Sequence, residues 1–361
     1  MAKCAPVASE PNQPSDRAES AIGQPTFGKG AISRTSLFAA LVVGLPASAI
    51  LLWLAARGID ARTVFENVRR ADSLRIALGV IAFGCFYLLQ AIRWRWIARR
   101  EGELSIGRFL QFVISAVACN NVVPGRPGDF LRAHWLGRGV GSPRTRALGT
   151  VVVDRASDVL VLVAALGASF LFVGHEDSWL MRIDLAAAVL GATLLLGLLG
   201  ARFYVRRKPE GVAASRVGRL VGGVLAGAAE AVNRRDALMV AALSAAAWTA
   251  WAAGAWSIAA AVGIPLSPIE VFFVMAVVNL GVAMPSSPGF VGTYQWLCVA
   301  SLALLGVGGE RAFAFSVLLH AAWFVPTTIA GAALLTHKGV RRASRRRALT
   351  LQPRTMQVTA P

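Results

Sequence analysis

The stretch that decides the fold is Asn120–Arg132, NNVVPGRPGDFLR, which places two Pro-Gly pairs directly after an apolar run long enough to enter a membrane. Non-helical backbone at bilayer depth is tolerated only where protein or a water-filled cavity satisfies its amide and carbonyl groups. The two pairs therefore predict a re-entrant turn. Its charges, Arg126, Asp129 and Arg132, are candidate site residues because ionisable groups inside a membrane are costly. The alternative is a cytoplasmic loop whose arginines contact lipid phosphates.

The composition is that of a polytopic membrane protein. Hydrophobic residues make up 56% of the 361 residues, and the mean hydropathy is +0.58, which exceeds what the core of a soluble domain requires. The net charge of +18 does not indicate a nucleic-acid partner, because the basic residues occupy short segments between apolar runs. Membrane topology explains that distribution better.

The cysteines and histidines predict neither a disulfide framework nor a metal site. The four cysteines are scattered without a Cys-x-x-Cys spacing, and the four histidines form no ligand pattern. The sequence contains no nucleophile motif, phosphate-binding loop or dinucleotide fingerprint. No catalytic residue, metal or cofactor is therefore predicted.

The predicted fold class is an all-α polytopic membrane protein with three parts along the chain. Residues 1–35 predict a disordered cytoplasmic tail, because they lack apolar periodicity. Residues 36–337 form the transmembrane domain, and residues 338–361 form a basic cytoplasmic tail. On a ruler of about 20 apolar residues per span, six full spans are expected at Leu37–Ala56, Leu74–Ala98, Ala147–Val173, Leu185–Tyr204, Ala237–Val262 and Ala312–Thr336.

Lysines and arginines set the predicted orientation. Basic residues flank the broken region Ile106–Gly137 on both sides, so both of its ends are expected to be cytoplasmic, as are both termini. The predicted location is a bacterial-type inner (plasma) membrane, crossed in many passes. Trp94 and Trp96, beside Arg93 and Arg95, are interpreted as anchors at the headgroup level.

A second apolar region, Ile269–Val307, is also broken by Pro-Gly sequence. Its tip, Met284–Tyr294, reads MPSSPGFVGTY and is expected to be the inverted counterpart of the first tip. Paired interrupted segments in two halves indicate a transporter site near the midplane. The charges leave open whether this region is a hairpin or two complete spans, which would bring the total to eight or more.

Further charges lie inside a predicted span. Asp154 and Asp158 are four residues apart and therefore share one helix face. Arg155 can pair with them locally, and Arg126 or Arg132 are the candidate partners from the hairpin. These charges form either an ion-pair clasp or a charged wall that meets a lipid headgroup.

The second tip offers polar groups without net charge: Ser286, Ser287, Thr293, Tyr294 and Gln295. A helix that begins after Gly292 would present an anion-binding amino end, and close helix packing is the alternative. Asn279 and His320 are expected to form hydrogen bonds between helices.

Together these motifs resemble the lysylphosphatidylglycerol synthase transmembrane region family, whose members are described as flippase-like integral membrane proteins. The resemblance covers about Leu74 to Leu335 and rests on four segments: Arg93–Arg95, Asn120–Arg132, Asp154–Arg155, and Pro285–Tyr294 followed by Leu304–Val307. The family usually has Glu where this chain has Asp129 and Asp154, and a more charged form of the second tip. The resemblance implies the flippase-like region without the aminoacyl-transferase domain that follows it in bifunctional members.

The leading functional hypothesis is a protein that binds an amphipathic phospholipid or glycolipid and translocates or presents it. Its partners are membrane lipids with an anionic or zwitterionic headgroup, with a soluble lipid-modifying enzyme as a further candidate. The alternatives are a lipid-modifying enzyme that uses Asp129 or Asp154 as a base, and an accessory subunit for a separate transferase. The predicted lipid-binding residues are Asn120, Asn121, Arg126, Asp129, Arg132, Asp154, Arg155, Asp158, Ser286, Ser287 and Tyr294.

Overall fold

The computed structural model of the protein describes residues 34–123, 126–173, 216–231, 234–282 and 287–350, together with single helical positions between 189 and 203. Over these residues the fold is all α-helical, as predicted. Most of the predicted N-terminal tail and of the span Leu185–Tyr204 lies outside them. The helices are α1 (Arg34–Ala56), α2 (Ala61–Arg70), α3 (Ser73–Ala98), α4 (Ile106–Val122), α5 (Gly128–Val140), α6 (Arg144–Val173), α7 (Arg216–Ala231), α8 (Arg234–Ala261), α9 (Pro268–Gly281), α10 (Thr293–Ala303) and α11 (Gly309–Thr350).

Helices α3 and α8 form an antiparallel pair that defines the two sides of the molecule. The Asp72 backbone N–H donates to the Ala261 carbonyl over 3.1 Å at one end, and Arg99 pairs with Asp236 at the other. We call the end at Arg99 the basic side and the end at Asp72 the opposite side. Ser73–Ala98, Arg235–Ala261 and Gly309–Thr336 are each long and apolar enough to cross a membrane.

Local sequence explains where several helices begin and end. The Asp72 carboxylate accepts the backbone N–H groups of Leu74 and Arg75 at the start of α3. The start of α9 carries a capping box between Ser267 and Glu270. These side chains satisfy amides that have no partner inside the helix.

Helices α4 and α5 form a hairpin that enters and leaves on the basic side. Gly102 lies before α4 and Gly139 near the end of α5, and they pack against Val140 and Leu104 respectively. At the other end of the hairpin, the Gly128 N–H donates to the Asn120 side-chain oxygen over 2.7 Å. The predicted re-entrant hairpin is therefore the observed arrangement, although Pro124 and Gly125 at its tip lie outside the described residues.

Helices α9 and α10 form the second hairpin, which enters from the opposite side. They contain 14 and 11 residues, or about 21 and 16 Å of helix, whereas the hydrocarbon core is about 30 Å thick. Gly281 packs against Leu297 where they face each other, and Gly309, which follows the hairpin, lies beside Ile59 on the opposite side. The question left open by the charges is thus decided for a hairpin, inverted relative to the first.

The structure corrects the interpretation of Trp94 as an anchor at the headgroup level. Its side chain is 0% exposed, packs edge-on against Phe109, and donates through its indole N–H to Thr150 over 3.1 Å. Trp96 is only half-buried. The central carbon of the Arg99 guanidinium lies 4.2 Å from the centre of its ring. An aromatic ring beside arginines in sequence indicates an interface only when the ring faces lipid, and helix α3 turns Trp94 inward.

Gly128 is the position at which the first hairpin depends on the absence of a side chain. A Cβ there would lie 2.1 Å from the Ala116 carbonyl oxygen of α4, whereas a Cβ at Gly107 meets nothing within 4 Å. We expect Gly128→Ala to destabilise the fold by about 1–3 kcal/mol, the usual cost of overpacking. Gly107→Ala is the matched control and is expected to unfold at or above the wild-type temperature, as measured by thermal unfolding in detergent. Equal midpoints for the two variants would contradict this packing.

Candidate functional site

The centre of the candidate site is a buried ion-pair network between α3, α5, α6 and α8. Arg93, near the end of α3, has 0% of its side chain exposed. Its Nε and Nη2 lie 2.9 and 2.8 Å from Oδ1 of Asp154 on α6. Its Nη1 lies 2.8 Å from Asp158 Oδ1 and donates to the Ser244 hydroxyl on α8 over 2.9 Å. One guanidinium therefore holds three helices together.

Arg132 brings the first hairpin into the same network. Its Nη1 lies 2.7 Å from Asp154 Oδ2, and its Nε lies 3.1 Å from Asp129 Oδ1. The flat face of the guanidinium lies over Trp94, 4.9 Å from the ring centre. Both oxygens of the Asp154 carboxylate are thus occupied by arginines from different helices, and only 1% of the Arg132 side chain is exposed.

Arg155 closes the network at its outer edge. Its Nε lies 3.2 Å from Asp129 Oδ1, and its Nη1 lies 3.1 Å from Asp158 Oδ2. The Arg155 side chain is 41% exposed and that of Asp129 is 26% exposed, whereas Asp154 and Asp158 are almost completely buried. The network consequently has a buried inner part that packs the helices and a partly exposed rim.

The charges of the network balance. Three arginines, Arg93, Arg132 and Arg155, face three aspartates, Asp129, Asp154 and Asp158. Removing one charge from water costs several kcal/mol, and only close partners with good geometry recover it. The indole N–H of Trp248 adds a further donor to Asp158, over 3.0 Å. The Asp154–Arg155–Asp158 segment and the hairpin, predicted as partners, do meet here.

Arg126 lies outside this network, at the point where the two hairpin tips touch. Its guanidinium donates to the Val282 backbone carbonyl at the end of α9, and its central carbon lies 5.0 Å from the ring centre of Phe290. Of the two arginines predicted to pair with the α6 carboxylates, Arg132 does so, whereas the contacts of Arg126 in the described residues are to a carbonyl and a ring. A Cβ on Gly289 would lie 3.8 Å from the Asn121 carbonyl oxygen, which confirms that the tips are adjacent.

At the second tip, the polar groups pack against α1. The Ser48 hydroxyl accepts the Ser287 backbone N–H over 2.8 Å and shares a 3.3 Å hydrogen bond with Thr293. A Cβ on Gly292, whose φ is +90°, would lie 2.0 Å from the Ser48 carbonyl oxygen. The amino end of α10 is therefore covered by α1, which is the packing arrangement offered as the alternative to an anion site. Ser286 lies outside the described residues.

Tyr294 belongs to a buried aromatic cluster with residues of α11. It stacks on His320 with 4.5 Å between ring centres, and its hydroxyl accepts the Trp323 indole N–H over 3.2 Å. His320 also shares a 3.1 Å hydrogen bond with Gln295, so the predicted role of His320 between helices is confirmed. Tyr294 is only 1% exposed, which makes it part of the support beneath the tip.

The three asparagines singled out from the sequence, Asn120, Asn121 and Asn279, have separate roles. Asn120 caps the first amide of α5, and Asn121 donates to the Thr328 hydroxyl on α11 over 2.8 Å. Asn279 donates to the Met275 carbonyl over 2.8 Å, within its own helix. This bond lies within α9, so a hydrogen bond from Asn279 to another helix stays a prediction.

Sequence reasoning missed Arg93, Ser244, Trp248 and Ser48. Arg93 lies among the basic residues at the end of a predicted span, where arginines are routinely found. The available signal was depth: Arg93 lies five residues before Ala98, the last residue of the predicted span, and so more than one turn inside the apolar helix.

A family model described as the lysylphosphatidylglycerol synthase TM region matches residues 37–331. This chain belongs to that family. It is 29% identical over 332 residues to the protein named Glycosyltransferase AglD of Haloferax volcanii, a match that covers 81% of this chain and 53% of AglD. It is 21% identical over 320 residues to a UPF0104 membrane protein of Methanothermobacter thermautotrophicus, covering 81% of this chain and 91% of that protein.

The chain thus spans about half the length of AglD and nearly all of the UPF0104 protein at the matched region. The family resemblance stated from the motifs is confirmed. Each of the three charged motifs on which it rested contributes to the network: Arg93 from α3, Asp129 and Arg132 from the first hairpin, and Asp154 and Arg155 from α6. The family assignment establishes that this is an integral membrane protein. The chemistry of the site has to be inferred from the geometry of its residues.

Removing one inner carboxylate is expected to destabilise the whole helix assembly. Asp154→Asn leaves Arg93 and Arg132 short of a buried counter-charge, and breaking a buried pair typically costs about 3–5 kcal/mol. We expect a large drop in the thermal unfolding midpoint in detergent. Glu66→Gln is the matched control, because Glu66 pairs with Arg62 and Arg70 on the exposed helix α2, where such pairs contribute little. A midpoint for Asp154→Asn close to that of Glu66→Gln would show that the network does not hold the fold together.

Proposed function

We propose that this protein binds an amphipathic membrane lipid with an anionic or zwitterionic headgroup where the two hairpin tips meet, and moves it between leaflets or presents it to an enzyme. The observation that carries the proposal is the partly exposed rim of the buried charge network. Arg155 and Asp129 are 41% and 26% exposed although they lie on helices of the transmembrane core. A charged surface at such a place requires a polar ligand or water.

The rim offers both signs of charge, with one cation in excess. Arg155 and Asp129 are paired with each other, and Arg126 adds a guanidinium nearby that contacts a carbonyl and a ring. Arginine presents a planar fork of donors that suits phosphate and carboxylate oxygens. We therefore assign direct headgroup contact to Arg126, Asp129 and Arg155, and a supporting role to Arg132, Asp154 and Asp158.

Apolar side chains frame this rim. Val122 at the end of α4, Phe130 beside Asp129, and Val291 within the second tip are 60%, 65% and 48% exposed. Such surfaces are expected to contact acyl or prenyl chains, which stay in the hydrocarbon when the headgroup enters a polar site. The combination of a polar rim with an apolar frame fits an amphipathic ligand better than a soluble ion.

The inverted hairpins suit movement of a headgroup across the bilayer. Each hairpin begins and ends on one side, so the tips bring polar backbone and side chains from both sides to one depth. Paired broken segments of this kind are typical of transporter sites near the midplane. We propose that the headgroup passes between the tips while its chains remain in lipid, and that transport is downhill or ion-coupled.

A second candidate function is presentation of a lipid to a separate transferase. One relative carries the name glycosyltransferase, and this chain matches about half of its length. A membrane region that holds a lipid carrier beside a transferase would use the same rim. A soluble lipid-modifying enzyme is the partner that this candidate requires.

Catalysis by Asp129 or Asp154 has less support. Both oxygens of Asp154 are held by arginines within the buried core, and Asp129 faces two arginines, at 3.1 and 3.2 Å. Ion pairing favours the charged form of a carboxylate and weakens it as a base. A general base must also reach the proton that it removes, and the Asp154 carboxylate is enclosed.

We further propose that the basic side faces the cytoplasm of a bacterial-type inner membrane. Arginines concentrate at the ends of α3 and α5 on that side, which is the distribution that the positive-inside rule describes. Both termini would then be cytoplasmic.

The lipid-transport hypothesis predicts that Arg155→Gln slows transport without unfolding the protein. Asp129 keeps Arg132 as a partner and Asp158 keeps Arg93, so no carboxylate is left unpaired. Losing one charge-assisted hydrogen bond to the headgroup, worth about 1.5–3 kcal/mol, is expected to slow scrambling about tenfold to a hundredfold. The assay uses liposomes with fluorescent-headgroup phosphatidylglycerol or phosphatidylethanolamine and a membrane-impermeant quencher.

The matched control for that assay is Arg138→Gln, which removes the same charge from an exposed residue near the end of α5 and is expected to transport like wild type. The transport hypothesis would be contradicted if the wild-type protein moves no lipid from a panel of phospholipids and prenyl-phosphate lipids. Stimulation of a co-purifying transferase by that same inactive protein would favour the presentation candidate instead.

Orientation is testable with single cysteines on the two sides. We expect Arg138→Cys to react with a membrane-impermeant maleimide only after the cells are opened, and Arg69→Cys, on the exposed surface of α2, to react in intact spheroplasts. Both labelling experiments start from a variant in which the native cysteines are replaced by alanine. The reverse pattern would show that the basic side faces outward.

A further inference from the structure

The two hairpin tips share an unusual backbone feature. Among the described residues, Arg126 and Phe290 are the non-glycine residues with positive φ, at 51° and 58°. Side chains rarely adopt this conformation because the Cβ crowds the backbone, and a bulky aromatic residue does so least readily. These two residues also contact each other, with the Arg126 guanidinium carbon 5.0 Å from the Phe290 ring centre.

The contact joins two elements that reach the same depth from opposite sides. Arg126 precedes α5 in the first hairpin, and it donates to the carbonyl of Val282, which follows α9 in the second. That carbonyl is at the carboxyl end of a helix, where the helix dipole favours a cation. The guanidinium is thus held by a carbonyl and a ring, both of which are weaker partners than an oxyanion.

We propose that the Arg126 contact is a latch between the two hairpins, and that a headgroup oxyanion releases it by binding the guanidinium. This inference rests on the proposed function, and it describes how the headgroup site between the two hairpin tips opens. Strained backbone persists only where the surrounding contacts hold it in place. When the oxyanion takes Arg126, the cation-π contact and the Val282 hydrogen bond are lost together, and both tips are free to relax.

Exposure allows a ligand to reach the latch. Arg126 is exposed, and Val291, next to Phe290, is 48% exposed. The inner network remains closed during this step, because Arg132 and Asp154 stay paired behind Asp129. The latch therefore separates the tips without breaking the six-charge network that holds the helices.

The test is a pair of spin labels across the tips, at Val122→Cys and Val291→Cys, in protein whose native cysteines are replaced by alanine. In micelles of dodecyl maltoside, an uncharged detergent without an oxyanion, we expect the wild-type distance distribution to be dominated by one short component. Adding phosphatidylglycerol should raise the longer component. Arg126→Gln should raise it about tenfold already in dodecyl maltoside, which corresponds to about 1.4 kcal/mol, and phosphatidylglycerol should have no further effect.

Two variants separate the latch from a general loss of structure. Phe290→Leu keeps an apolar side chain and removes the ring, so it should shift the distribution in the same direction as Arg126→Gln. Arg138→Gln removes a cation away from the tips and should leave the distribution as in wild type. A distance that changes in Arg126→Gln but not with phosphatidylglycerol overturns release by an oxyanion, and one that changes in neither overturns the latch.

Lipid scrambling measured with the spin-labelled Val122→Cys/Val291→Cys protein distinguishes this inference from the proposed function. Tips that separate with phosphatidylglycerol while no lipid moves support the latch and contradict transport. Lipid movement with a fixed tip distance supports transport and contradicts the latch.

Discussion

The neutralisation of charge inside a low-dielectric core is the constraint on which the rest of this structure depends. Asp154 is 0% exposed, and its two oxygens are held by Arg93 of α3 and Arg132 of α5. An isolated carboxylate at that place would cost far more than a single helix contact recovers. The helices that carry these charges must therefore assemble around each other, which fixes the position of the first hairpin against α6.

The two inverted hairpins follow from a related requirement. Broken backbone at bilayer depth needs partners for its amides and carbonyls, and the structure supplies them locally. Asn120 accepts the Gly128 amide, Ser48 accepts the Ser287 amide, and Arg126 donates to the Val282 carbonyl. Because the last of these contacts crosses from one hairpin to the other, satisfying the backbone also brings the two tips together.

Much of the fold and part of the site were predictable from sequence. Pro-Gly pairs after long apolar runs predicted the first hairpin and the break in the second region, and the four-residue spacing of Asp154 and Asp158 predicted a shared helix face. Arg93 was not predictable by counting, since the three arginines nearest in sequence already matched the three aspartates. In the structure Arg126 is used at the tip, and Arg93 replaces it as the third counter-charge. The inward direction of Trp94 was missed for a different reason: it depends on how α3 is rotated against its neighbours, which the adjacent arginines do not indicate.

By itself, the sequence determined that this is a helical membrane protein with two broken segments and a set of intramembrane charges, because length, hydropathy and helix breakers are local properties. Only the tertiary structure decided that the second segment is a hairpin and which arginine pairs with which aspartate. It also decided that Ser287 and Tyr294 support the second tip, whereas Arg155 and Asp129 are partly exposed at the surface. These outcomes depend on contacts between residues far apart in the chain, such as Arg93 with Asp158 and Arg126 with Val282. Such pairs depend on which helix faces pack together. The sequence alone does not determine this, because several different arginine–aspartate pairings would neutralise the charges equally well.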